Sequence, residues 1–146
     1  MRWAVVALLL LQGCKSGSRT TDTYSRKIKS KELKLAFLKD YLGSPTEPQD
    51  VEFHVVVHDN SGGLLAGPSD SDIQAAVKVK PDHVAKWAEG CTGARLEVRP
   101  AWVDGLISGK DGWDVSSQPD TYRCGREERV IHVHEGVIFR HLTTEG

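Results

Sequence analysis

"VEFHVVVHDN", residues 51–60, alternates Val51, Phe53, Val55 and Val57 with Glu52, His54, Val56 and His58. A period of two places successive side chains on opposite faces, so this stretch predicts a strand with one apolar and one mixed face. "DIQAAVKV" (72–79) follows the same rule, with Ile73, Ala75, Val77 and Val79 on one side. Between them lies "DNSGGLLAGPSD", a long loop punctuated by Gly62-Gly63 and Gly67-Pro68. "KPDHVAKWAEG" reads as a short helix, with Pro81 in the first turn and Gly90 ending it. From Cys91 to Tyr122 the pattern weakens: "ARLEVRPAWV" holds at most a short strand, and "DGLISGKDGWDVSSQPD" reads as loop. "REERVIHVHEGVIFRHLTT" then predicts a hairpin with a three-residue loop, His134–Gly136, pairing Val133 with Val137 and Ile131 with Phe139.

Ahead of this region, "RKIKSKELKLAFLKDYLG" predicts a helix. Ile28, Leu35, Leu38 and Leu42 recur at helical spacing beside the row Leu33, Phe37, Tyr41, and Gly43 and Pro45 act as stops. With no alternation of strand and helix, the expected class is α+β. An N-terminal helix packs on a small, mostly antiparallel sheet that ends in a C-terminal β-hairpin. The net charge of −1 hides a split: residues 15–40 carry eight Lys/Arg against three Asp/Glu, and residues 41–146 carry ten against seventeen. An acidic main domain without a basic groove excludes nucleic acid as a partner.

The chain opens with "MRWAVVALLLLQGCKSGSRTT". The apolar run from Trp3 to Leu11 is nine residues. As a helix it covers roughly 14 Å, half of a hydrocarbon core about 30 Å thick, so it is too short to span. Arg2, the apolar run and the small Gly13 have the layout of an export signal. Leu11, Gly13 and Cys14 resemble the bacterial lipobox, from which Gln12 departs. The resemblance implies cleavage between Gly13 and Cys14 and a diacylglyceryl thioether on Cys14, which holds the chain to a membrane by two or three acyl chains. The domain reading follows: 1–13 signal peptide, 14–25 lipidated cysteine and flexible tether, 26–146 a single α+β domain. The expected location is the cell envelope. Lys15 follows the lipid cysteine where lipoproteins retained in the inner membrane commonly carry Asp, which favours the outer membrane of a Gram-negative cell. Assigning Cys14 to lipid leaves Cys91 and Cys124 as a candidate disulfide, with two unpaired thiols as the alternative.

Candidate chemistry is thin. His54 and His58 share a strand face, and with His132 they are the only metal ligands the pattern offers, provided their strands are neighbours; no zinc motif is present and no cofactor is expected. Asp59 and Asp70 are eleven residues apart, as in a calcium loop. Gly63 stands where that loop needs an oxygen ligand, Leu64 where it needs Gly, and Asp70 where it needs Glu. Asp59, Asn60, Asp70 and Asp72 remain a looser ligand loop. An exposed Trp113 between Asp111 and Asp114 would stack on a sugar ring, whereas Trp87 and Trp102 are assigned to the core. No GxSxG elbow and no catalytic constellation is present.

"HDNSGGLLAGPSDSDI", "PDHVAKW" and "HEGVIFR" loosely resemble small bacterial proteins of unassigned function, which implies no activity or catalytic residue. The expected function is therefore a membrane-anchored envelope lipoprotein that binds or contacts an envelope protein or glycan. The alternative is an envelope hydrolase using Asp/His residues around the Asp59–Asp72 and Asp104–Asp120 loops.

Overall fold

The structure is a computed structural model and describes residues 19–60, 69–95 and 99–144. The order of elements is β1 (Arg19–Tyr24), α1 (Lys31–Lys39), β2 (Asp50–Asp59), β3 (Asp70–Lys78), a 3-10 helix (Pro81–Trp87), β4 (Thr92–Arg95), α2 (Ala101–Ile107), β5 (Asp120–Cys124), β6 (Glu127–His132) and β7 (Val137–Thr144). The seven strands form one sheet in the order β1-β2-β3-β7-β6-β5-β4, antiparallel at every junction.

This overturns the expected α+β class. The sheet is large rather than small, the first described element is a strand, and the helical pieces are short and scattered along the chain. The reason lies in packing on two faces. Ile73, Ala75, Val77, Ile131 and Ile138 point to one side, where they meet Leu38 within α1, Leu42 after it, and Val84 and Trp87 of the 3-10 helix. Ala76, Val130, Val137 and Phe139 point to the other, where they meet Val103, Leu106 and Ile107 of α2 and Trp113. A sheet buried on both faces produces apolar runs such as Val137-Ile138-Phe139 in place of clean alternation.

Four further expectations are corrected by the same geometry. Residues 19–24 of the supposed tether are β1, paired Thr21 to Val57 and Thr23 to Val55 along the edge of β2. The helix expected from residue 26 starts only at Lys31, because Ser25–Lys27 turn out of β1 and Ser30 caps the helix, its Oγ accepting from Leu33 N–H at 3.3 Å. A second helix, α2, lies inside the stretch read as strand and loop. The hairpin loop has four residues, with Ile131 opposite Ile138 and Val130 opposite Phe139. A slip of one residue exchanges the faces of a strand, and where both faces are buried, hydrophobicity alone does not choose between the two registers.

Cys91 and Cys124 form a disulfide, Cα to Cα 4.5 Å, one step beyond the Thr92–Arg123 pair of β4 and β5. It ties the four-residue edge strand β4 to the sheet. No helix among the described residues is long and apolar enough to cross a membrane.

Candidate binding groove and the placement of site residues

On the α2 side of the sheet, the row Tyr24, His54, Gln74, His141 runs across β1, β2, β3 and β7 as direct neighbours. One register step along, Asp22 and Asp72 stand on the same face, and each holds a histidine: Asp22 to His54 at 2.8 Å and Asp72 to His141 at 3.1 Å. α2 lies along β2 and β3, and its Val103, Leu106 and Ile107 join Ala76, Val130, Val137 and Phe139 in the second core. A groove of about 420 Å³ is left between the helix and the β1–β2–β3 strands.

Its helix wall is Trp102 and Gly105, three residues apart on one side of α2, with Ser108 just past the helix end. Trp102 is wedged edge-on to Phe139 and tilted against His141, which fixes the indole at the groove margin. The opposite wall is Tyr24, stacked on His54 at 3.9 Å with the Arg26 guanidinium over its other face at 4.2 Å. Gln74 lies in the floor.

Behind the groove's Ser25 and Lys110 lies the buried Glu52, bonded to both. β1 leaves the sheet at Tyr24, which would strip the Phe53 N–H of its ladder partner; Ser25 Oγ accepts that N–H at 2.9 Å and donates to Glu52. Lys34 reaches Glu52 at 2.8 Å and Lys110 bonds its second oxygen. Burial alone would raise the Glu52 pKa, but the bonds from Lys110, Lys34 and Ser25 outweigh it and hold the carboxyl below its ordinary range.

A second cluster sits beside β6. Ser117 Oγ donates to Glu135 and lies 3.3 Å from His132 Nδ1, so a serine, a histidine and an acid do come together. Their order is wrong for nucleophilic catalysis. The acid holds the serine instead of orienting the histidine, and the Ser116 and Ser117 N–H groups both bond Glu135, at 3.1 and 2.8 Å, so neither is left to stabilise an oxyanion. His132 is buried, which lowers its pKa, and its Nε2 has no hydrogen-bond partner among the described residues. Glu135 is instead a lock on the 116–117 loop. Burial opposes its charge, but the Ser117 and Ser116 donors bring its pKa down to about 2.

The sequence candidates scatter. Leu11, Gly13, Cys14 and Lys15 lie outside the described residues, as do residues 61–68 of the long loop. Cys91 and Cys124 are joined. His54 and His58 share a face of β2, but His132 is on β6 with β3 and β7 between, about 14 Å across the sheet and further offset along it, since its row meets Asp50 and not His54. No group of three His, Cys, Asp or Glu that would hold a metal ion exists among the described residues. Asp59 ends β2, Asn60 follows it, and Asp70 and Asp72 begin β3. Trp113 is far from them, buried in the second core under Lys78, which stands at the other end of β3 with Nζ 4.8 Å from the ring. The expected exposed sugar platform at Trp113 is therefore corrected to a core residue: the flanking Gly112 and Asp114 marked a turn, and the indole filled the space under α2.

Gln74, Trp102, Gly105 and His141 were not legible as a site. Only Gly105 left a trace, a glycine inside "AWVDGLI" where helix formation disfavours it. Set against protein-family models, curated proteins and solved structures, the chain finds no match in any of the three.

Proposed function

We propose that this chain is a lipid-anchored binding module of a bacterial cell envelope, held by acyl chains on Cys14 and using the groove between α2 and β1–β3 to hold an envelope component. The observation that carries this reading is the Cys91–Cys124 disulfide. Such bridges persist in oxidising compartments, and this one leaves Cys14 as the odd cysteine of three in a lipobox-like setting. The second support is the groove itself, a concave surface with aromatic walls and a polar floor. A non-catalytic role fits the disposition of Ser117, His132 and Glu135 described above better than the hydrolase alternative does.

Labelled palmitate fed to cells tests the anchor. It should enter the wild-type chain and be absent from Cys14→Ser, which keeps the site's shape but lacks the thiol the lipid requires, and which should run as the longer precursor. The wild type should co-sediment with membranes, with outer-membrane markers where the cell has that membrane. An unlabelled wild type released into the soluble fraction would sink the reading.

A further inference from the structure

We infer that the groove between α2 and the β1–β3 strands is a carbohydrate site that takes an N-acetylated oligosaccharide, with Trp102 as its stacking platform and Gln74 as its recognising amide. The inference rests on the binding-module reading and names its ligand class. Gly105 is the starting point. It stands in mid-helix with no left-handed φ to require glycine, and a Cβ built there would meet nothing within 4 Å. Neither packing nor backbone geometry explains it, yet glycine inside a helix costs roughly 0.5–1 kcal/mol relative to alanine. What the missing side chain provides is room, on the face of α2 that lines the groove.

The groove's chemistry narrows the occupant. Of the charged side chains that line it, Lys110 is bonded to Glu52 and the Arg26 guanidinium lies over the Tyr24 ring. At the Tyr24–His54–Gln74–His141 row both edges of β2 and of β3 are already paired, so the floor has no free backbone edge on which to add a peptide strand. Recognition falls to side chains. The Gln74 amide is half-exposed and makes no side-chain hydrogen bond among the described residues. A primary amide offers two donors and one acceptor in a plane, which matches an acetamido group or a pair of neighbouring hydroxyls. An indole at the margin suits the C–H face of a pyranose ring, and about 420 Å³ accommodates one or two such rings, within the usual range of about 300–1,000 Å³ for ligand sites.

The test is a titration of the isotope-labelled full chain in detergent micelles with β-1,4-linked N-acetylglucosamine tetraose, with maltotetraose run in parallel. Shifts should appear at the Trp102 indole and Gln74 amide, saturate with the N-acetylated probe, and be weaker by roughly tenfold or more in Gln74→Leu and Gly105→Leu. Gly105→Ala, which adds one methyl into open space, should retain the fold and lose less affinity. Saturation by maltotetraose alone, no saturation by either probe, or wild-type affinity in Gly105→Leu would each overturn the assignment. Cys14→Ser should bind as the wild type does, so lost binding bears on the groove and lost palmitate labelling on the anchor.

Discussion

Arg140 shows what a single residue can hold together in this sheet. It is 2% exposed, and its guanidinium bonds both oxygens of Glu127, donates to the Gly43 carbonyl at 2.7 Å, and lies 5.1 Å over the Trp87 ring. Arg129 approaches Glu127 from the other side at 2.9 Å. Burial alone would raise the Glu127 pKa, but bonds to Arg140 and Arg129 lower it overall. A carboxylate with a lowered folded-state pKa contributes stability that is present above its unfolded value of 4.5 and lost as pH falls through the folded value. Glu52 and Glu135 have the same sign. His132, lowered from 6.5, also favours unfolding as pH falls, and does so first. Denaturant midpoints should therefore drop in two stages, below pH 6.5 and again below 4.5. Glu127→Gln should flatten part of the second stage and cost about 3 kcal/mol at neutral pH, since it leaves Arg140 buried without its counter-charge.

At the scale of an element, two glycines predict opposite outcomes. Gly136 closes the β6–β7 loop at φ +66°, and a Cβ there would lie 2.4 Å from the Val79 carbonyl oxygen. That carbonyl is backbone and the Val79 N–H bonds Gly136 O at 2.8 Å, so neither strand end moves without breaking the connection to the 3-10 helix. Gly136→Ala should cost more than about 2 kcal/mol, from left-handed strain plus the collision. Gly105→Ala meets open space in a helix and should stabilise by about 0.5–1 kcal/mol. Thermal melts of the two variants, compared with wild type, should shift in opposite directions. A shift in the same direction would contradict the helical geometry of α2 or the loop geometry of residues 133–136.

For the molecule as a whole, the weak point is the β4 edge. β1 and β4 both lie at sheet margins, and β4 has four residues and one partner strand. The disulfide closes 33 residues containing α2 and the groove's helix wall. On the chain-entropy account, a loop of that size stabilises by about 4 kcal/mol. Reduction, or the double variant Cys91→Ala/Cys124→Ala, should lower the unfolding free energy by that order, read from denaturant midpoints with and without reductant. Reduced protein of unchanged midpoint would mean that β4 is held by its ladder and not by the bridge.

Local chemistry was enough to fix several features from the residues alone. The alternation of Val51, Phe53, Val55 and Val57, the second strand through Ile73 and Val77, the short helix opened by Pro81 and the left-handed Gly136 each follow from a preference that a residue carries wherever it sits. The cysteine count made Cys91 and Cys124 candidates, and the adjacency of β4 and β5 decided that they bridge. What tertiary structure decided was everything set by a distant neighbour. β1, "RTTDTY", has no apolar period because it is an exposed edge, and only the β2 ladder makes it a strand. The hairpin register depended on a second helix covering the opposite sheet face. Trp113 and Trp102 exchanged roles, core for groove, because burial is a property of the space left under α2 and not of the flanking residues. Gln74 and His141 are 67 positions apart in the chain and adjacent in the sheet, a juxtaposition that no local period encodes.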